Sequence, residues 1–480
     1  MAVLMFFLLN QLQMIDSSIV YMLWGQLHEC IAYNTVIDGV QIVNRALSPS
    51  GYLNVHQTDG AVSFWVDDIG VYNQEFGPAR YPHSIASDIG TGDGPHICFP
   101  YLFGGSWGGA GAVYESGGWW SSYWDTPYDL GPGNIGAIRV LGKQLSDDNL
   151  MFVIQTADAL ILWGMGGYTW AVLDSGYCAG FDINDSIGYI FYWHDSLLCF
   201  RRFAGNWSPR DTYDIIWPLP YNQNLIMWTQ VAVTDAGNPL LVFDDWNGDD
   251  NTYPYYSKVY VSYAEGESCV KVSSTFGAPD TECFYPTIAT EGNLTAVIYS
   301  MPRNNLNDSL CWNDIFINWS TDQGVTWGIP KNLTGQNDSL RLGLQQIAKR
   351  IDVPRQRAFI VCAGSNYDPY WSVLYGTGGT CCVCFTYGDY MGIEENTMRT
   401  PLVGPRLEVY PNPTDGLLYV EGAILGKAKV TIYDVMGRPV SNFPCLNKQF
   451  LDLRGLNQGL YFLRIEQEKD VFVRKFVLLK

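Results

Sequence analysis

Apolar positions at helical spacing are scarce between residues 36 and 400. Short β-branched and aromatic runs alternate there with turns rich in Gly, Asp and Asn, the pattern of an all-β chain. The pattern also repeats. Tyr285–Tyr299 resembles Thr229–Phe243, and Tyr177–Trp193 is a third copy, with Asn184-Asp185 at its turn. Looser copies run from Gly94, Asn134 and Gln345, and Tyr52–Val66 supplies another. Starts fall near residues 52, 94, 134, 176, 229, 285 and 345, and about 40–50 residues is the length of one propeller blade. A unit of that size cannot bury its own apolar faces, whereas a closed ring of such units buries them and protects the strand edges. The spacing therefore predicts a β-propeller over residues 36–400, with seven blades, or six as the alternative. A pair of β-sandwiches is the competing architecture.

A second pattern begins near residue 405. Strands are predicted at Leu407–Tyr410, Leu417–Glu421, Lys429–Asp434, Phe450–Leu453, Leu460–Glu466 and Val471–Leu479. Tyr461, Leu463 and Ile465 alternate with Phe462, Arg464 and Glu466, giving one buried and one wet face. Strands of this number and length in residues 405–480 predict a small immunoglobulin-like sandwich. Charge changes at the same place. Residues 405–480 carry 11 Lys and Arg against 8 Asp and Glu, a net of +3, so the chain's total of −20 leaves −23 for the rest. All 17 Trp lie before the boundary. An acidic body is a poor partner for nucleic acid, whose phosphates call for Lys and Arg.

Residues 1–35 are expected to be an atypical export signal or an irregular segment. Ala2–Leu9 is an apolar run of signal-peptide length, but no Lys or Arg precedes Arg45 and no A-x-A cleavage site is visible. Neither this run nor Ile19–Trp24 reaches the ~18 residues that span a bilayer, so no transmembrane segment is expected. The 12 Cys show no paired C-x-x-C spacing for zinc. Buried thiols are the expectation for them, although export permits bridges such as Cys178 to Cys199 or Cys269 to Cys283.

Few residues announce chemistry. Asp245, Asn247 and Asp249 alternate around Gly248 as calcium-loop ligands do, but no bidentate Glu closes the loop. Calcium is the one cofactor this loop would take, and no other is expected. None of the five histidines, His28, His56, His83, His96 and His194, stands at a metal-binding spacing, so each is read as a turn or core residue. No Gly-x-Ser-x-Gly elbow or phosphate loop is present. Loop-tip aromatics would suit stacking on sugar rings, but in a propeller such rings more often pack between blades.

Ser320-Thr-Asp322-Gln-Gly324-Val-Thr326-Trp327 fits S-x-D-x-G-x-T-W. The short acceptors of Ser320 and Asp322 suit turn amides, Gly324 suits φ > 0, and Trp327 suits an apolar layer. The octet resembles the Asp-box (BNR repeat) of sialidase-like propellers. That resemblance implies a structural hairpin lying away from the family's catalytic centre. It also implies what catalysis would require, namely an arginine cluster, a Tyr nucleophile with a Glu partner, and an acid. The early Arg-Ile-Pro signature is missing, and Arg80-Tyr81-Pro82 reads better as a turn. No catalytic residue is therefore named. The body is expected to be a non-catalytic scaffold binding a glycan or surface protein, with a sialidase-like glycoside hydrolase as the alternative.

In the C-terminal segment, Tyr410-Pro411-Asn412-Pro413 with Gly416 opens a second constellation. Val430–Asp434 follows, then Gly437-Arg438, Gly459-Leu-Tyr461, and a last strand carrying Lys475 and ending at Lys480. Order and spacing together resemble the type A sorting domain of type IX (Por) secretion, a Bacteroidetes-like export system. The resemblance implies recognition by secretion machinery at the outer membrane, and a final location outside the cell or on its surface. It also implies removal of the domain, with residues 394–404 as the linker.

Overall fold

Each apolar run of the repeat forms one strand, and four strands pair in order. The computed structural model describes residues 13–19, 29–35, 38–45, 52–61, 65–71, 79–86, 96–116, 119–125, 135–145, 149–166, 169–184, 186–195, 197–213, 226–246, 257–263, 268–273, 283–302, 313–334, 341–365, 380–390, 408–410, 414, 416–421, 429–434, 438–443, 450–467 and 470–479. The chain divides into two compact units, Met1–Glu395 and Asn396–Lys480. Among the described residues every regular element is a strand.

In the first unit, the described strands within 31–71, 83–125, 137–175, 177–212, 226–271 and 284–332 each pair as a four-stranded antiparallel sheet. A seventh sheet takes three strands from Arg341–Ile347, Arg357–Ser365 and Thr380–Asp389, and its fourth from Gln13–Ile19. The leading strands of the seven sheets are neighbours in cyclic order, and that of the seventh touches that of the first.

The apolar core lies between sheets. In the third sheet, Leu150, Phe152 and Ile154 pack toward the second, while Met151 and Val153 pack toward the fourth. Both faces of a sheet are therefore buried, and such strands read as continuous apolar runs. The same arrangement joins the fourth and fifth sheets through Phe191 and Phe243, the fifth and sixth through Val242 and Tyr299, and the sixth and seventh through Ile317 and Ile360. Tyr33, Phe359 and Phe385 join the seventh to the first.

The N-terminal expectation needs correction. Within residues 1–35, Gln13–Ile19 is the outer strand of the seventh sheet and Ile31–Asn34 the leading strand of the first. Gln13–Ile19 mixes polar and apolar residues, and its partner lies more than 360 residues away, so no local pattern reveals it. The repeat starts near 52 and 94 also fall late, on the third strand of the first sheet and the second strand of the second. The leading strands of these two sheets, of four and three residues, are too short to carry a period, and the seven-residue Gly39–Arg45 also precedes the first start.

In the second unit, Glu408–Tyr410, Leu417–Glu421 and Phe450–Asp452 form one sheet. Pro439–Phe443, Lys429–Asp434, Gly459–Gln467 and Asp470–Leu478 form the other, in that order. Leu418 and Leu451 of the first pack with Val430, Ile432, Tyr461, Leu463, Ile465 and Phe476 of the second, so the period-two face is the buried one.

Asp16 fastens the ring where its ends meet. Its Oδ2 accepts from Asn44 Nδ2 at 2.8 Å and Asn54 Nδ2 at 2.9 Å, and lies 3.3 Å from His56 Nε2. Asp16→Ala removes this shared acceptor from the first sheet. The expected result is a loss of about 1–3 kcal/mol, read from the urea midpoint of the full chain.

Candidate functional site

Each leading strand runs toward the same end of the first unit, and there a cavity of about 400 Å³ opens. Asn34, Ala86, Gln144, Asn184, Asp235, Glu291 and Arg350 line it, one from each sheet, and all stand at or just beyond the C-terminal end of a leading strand. Closure of the ring is thus what assembles the lining.

The cavity floor is ionic. Glu29, 5% exposed, lies just before the first leading strand. Lys143 of the third sheet donates from Nζ to Glu29 Oε2 at 2.6 Å and stands 3.6 Å from Asp182 Oδ1 of the fourth. Lys349, after the seventh leading strand, donates to Val231 O at 2.7 Å and Gln230 Oε1 at 3.2 Å in the fifth sheet, and stands 3.8 Å from Glu29 Oε1. Side chains of four sheets and the Glu29 segment therefore meet here. Burial works to raise the Glu29 carboxyl, but the Lys143 and Lys349 ammoniums hold it well below the usual carboxylate range. For Lys143, burial works downward, yet Glu29 and Asp182 lift it above its ordinary value. Burial wins at Lys349, which lies below its ordinary value.

His83 braces Glu29 from beneath. Its Nδ1 accepts the Glu29 N–H at 3.2 Å, and its Nε2 faces Gly142 O at 3.0 Å, which makes Nε2 the protonated nitrogen. Burial lowers this imidazole to about 3. A second proton would have to sit on Nδ1, against the N–H it accepts.

The rim carries Glu291, Asp235 and Arg350. Arg350 Nη1 donates to Glu291 Oε2 at 3.0 Å. Burial raises the Glu291 carboxyl, and Arg350 only partly offsets it. Asp235 Oδ2 accepts the Gly292 N–H at 3.1 Å. Gly292, at φ +58°, caps the turn after Glu291.

The five residues Ser320, Asp322, Gly324, Thr326 and Trp327 form one self-bonded turn beside that rim. Ser320 Oγ accepts the Gly324 N–H at 2.9 Å and donates to Asp322 Oδ1 at 2.7 Å. The Thr326 N–H donates to Asp322 Oδ1 at 2.8 Å and its hydroxyl to Oδ2 at 2.6 Å. Trp327 Nε1 donates to Gly324 O at 2.9 Å. Burial pushes Asp322 up, but the Thr326 and Ser320 bonds hold it below its ordinary value. Gly324 sits at φ +88°, where a Cβ would also press on Leu240 at 3.1 Å. Gln323 then reaches the rim, its N–H donating to Asn293 O and its Nε2 to Gly292 O, both at 3.2 Å.

Among the described residues, Arg350 is the one arginine lining the cavity. Arg201 and Arg210 both meet Asp174, Arg355 pairs with Asp38 and Asp352, and Arg357 with Asp389. Arg80 lies over the Tyr81 ring at 5.1 Å. Tyr33, which also lines the cavity, donates to Asp38 Oδ1 at 3.0 Å, and burial pushes its hydroxyl well above the usual range. That is the opposite of an activated nucleophile. Of the calcium-loop residues, Asn247 and Asp249 lie outside the described residues, and only the backbone of Asp245 is described, opposite Lys258. Among the described residues no group of three His, Cys, Asp or Glu is placed to hold a metal.

In the second unit the motif residues hold turns. The Arg438 N–H donates to Asp434 Oδ1 at 3.0 Å and its Nε to Oδ2 at 2.8 Å. Gly416, at φ +128°, accepts the Leu453 N–H at 2.7 Å and lies so close to Arg454 that a Cβ would stand 2.6 Å from its Cγ. Tyr461 donates to Asn457 O at 2.7 Å. Gly459 begins the strand that carries Tyr461, and Lys475 stands opposite Phe462. Pro411, Asn412, Pro413, Gly437 and Lys480 lie outside the described residues.

Residues 408–479 match the family model described as a secretion system C-terminal sorting domain. The chain is therefore a secreted or outer-membrane surface protein. No curated protein matches it. Among solved structures, a polysaccharide lyase PL25 ulvan lyase is similar at 10% identity and TM-score 0.45, over 75% of this chain and 94% of that one. The α-L-arabinofuranosidase Arb93a of Fusarium graminearum is similar at 11% identity and TM-score 0.39, over 75% and 93%. The N-terminal domain of Nup159 is similar at 9% identity and TM-score 0.39, over 78% and 95%. These likenesses are too distant to bear on function.

Removing Lys143 leaves Glu29 buried with a more distant counter-ion. Lys143→Met is expected to lower unfolding free energy by about 3–5 kcal/mol, and much less when combined with Glu29→Gln, as a double-mutant cycle in urea will read. Acid should act through His83. An imidazole lowered to about 3 when folded, against an ordinary 6.5, makes stability fall as pH drops from about 6.5 toward about 3, because the unfolded chain binds the extra proton. His83→Gln should remove up to about 1.4 kcal/mol per pH unit of that slope, measured as unfolding free energy against pH.

Proposed function

We propose that residues 13–389 form a seven-bladed, sialidase-like β-propeller that binds a glycan or protein ligand without turning it over. On this reading an immunoglobulin-like, type A sorting domain delivers it to the cell surface through the type IX machinery. The cyclic order of seven four-stranded sheets supports the propeller, and the self-bonded Ser320–Trp327 turn supports the Asp-box reading.

One observation carries the binding reading. The cavity opens at the end where the Asp-box turn lies, with Gln323 bonded to its rim. A sialidase-like centre would lie away from that turn. The cations facing the cavity are already engaged with carboxylates or carbonyls of the chain, which leaves no arginine fork for a substrate carboxylate. Asn34, Gln144 and Asn184 add neutral amides to the lining, of the kind that bond sugar hydroxyls or peptide groups, and Asn184 Nδ2 also donates to Thr234 O. The glycoside hydrolase remains the second reading because of Glu291, whose carboxyl is raised as a proton donor's must be.

A glycan array probed with the full chain, in calcium and again in chelator, separates the readings. Selective binding that Gln144→Ala weakens about tenfold, with no turnover of aryl glycosides, is the expected result. Turnover abolished by Glu291→Gln would establish the hydrolase instead. Loss of binding and of melting temperature in chelator would assign calcium to the Asp245 loop, and indifference to chelator would remove it.

A further inference from the structure

Cys362 lies directly opposite Cys384 in the register of the antiparallel strands Arg357–Ser365 and Thr380–Asp389. Both side chains are fully buried free thiols in this structure, and both belong to the apolar cluster between the sixth and seventh sheets, so they share one face. Directly opposed residues of such a pair have Cα atoms about 4.5–5.5 Å apart. A disulfide takes Cα atoms about 4.4–6.8 Å apart. The other candidate bridges lack this geometry. Cys178 and Cys199 are each opposite Tyr192, with its strand between them, and Cys269 is opposite Ser262. Cys381 and Cys382 are opposite Ser18 and Ser17.

We propose that Cys362 and Cys384 are joined by a disulfide once the chain leaves the cytoplasm. Compartments outside the cytoplasm are where such bonds form and persist. In the reaction one thiol loses its proton and attacks an external disulfide, either that of a dithiol oxidoreductase or a small-molecule disulfide. The second thiolate then displaces that carrier, so the S–S bond forms as the external disulfide is reduced to two thiols. The thiolate must reach the carrier, and both sulfurs are sealed in the finished sheet, so the bond forms before the seventh sheet packs against the sixth.

Its position gives it a purpose. The strand Thr380–Asp389 also holds Gln13–Ile19 on its other edge, so the bond ties the strand that closes the ring to its neighbour. It also fixes the two stems of the connection 366–379.

The test refolds the full chain in a glutathione redox buffer, alkylates remaining thiols, and maps the digest by mass spectrometry. A linked Cys362–Cys384 peptide is expected. Reductant should then lower the melting temperature of the wild type by about 5 °C. It should leave C362A/C384A unmoved, with C362V and C384A as single controls should the double variant fold poorly. Recovery of both cysteines alkylated from the oxidised chain overturns the proposal, as does recovery of either joined to another cysteine.

Discussion

A carboxylate that cannot reach water must be met by cations, and at the axis of the first unit those cations come from distant sheets. Glu29 is met by Lys143 from the third sheet and by Lys349 from beyond the leading strand of the seventh, while Lys349 is also anchored in the fifth. Taking such groups out of water costs several kcal/mol each, and the cost is recovered only when every partner is in place. The ring is therefore all-or-none at its centre. Apolar packing between neighbouring sheets, as between Phe191 and Phe243, holds pairs together, but the axial charges make the seven sheets one object.

The same network shapes the cavity. With the floor filled by Glu29, Lys143 and Lys349, the space above is closed below and open at one end. Its lining combines neutral amides with carboxylates already engaged by backbone or arginine. Such a wall offers orientation more than reactivity. The exception is Glu291, which keeps its proton more readily than an exposed glutamate because burial opposes its ionisation.

Much of the fold was legible along the chain because both faces of most sheets are buried, so strands such as Leu150–Thr156 are near-continuous apolar runs bounded by turns. The Ser320–Trp327 turn was legible because its motif bonds are local: the side chains of Ser320, Asp322, Thr326 and Trp327 find their partners within the octet. The axial site was not. Glu29, His83, Lys143 and Lys349 are single residues separated by 54 to more than 200 positions, and nothing local distinguishes a lysine bound for an axis from one bound for solvent. His83 was read as a core or turn histidine, which describes its burial but misses that it braces Glu29. The strand Gln13–Ile19 escaped for a topological reason, since its pattern is intelligible only beside Thr380–Asp389.

That last pairing governs the order in which the molecule can be made. Contacts between Gln13–Ile19 and Thr380–Asp389 span nearly the whole first unit, and contacts at such sequence separation form late, because the intervening chain must surrender its freedom first. A chain emerging N-terminus first exposes its outermost strand at once and must hold it without a partner until more than 360 further residues have appeared. Any fragment that stops short of residue 380 has a strand edge with nothing to pair, which is the condition under which β-proteins adhere to one another.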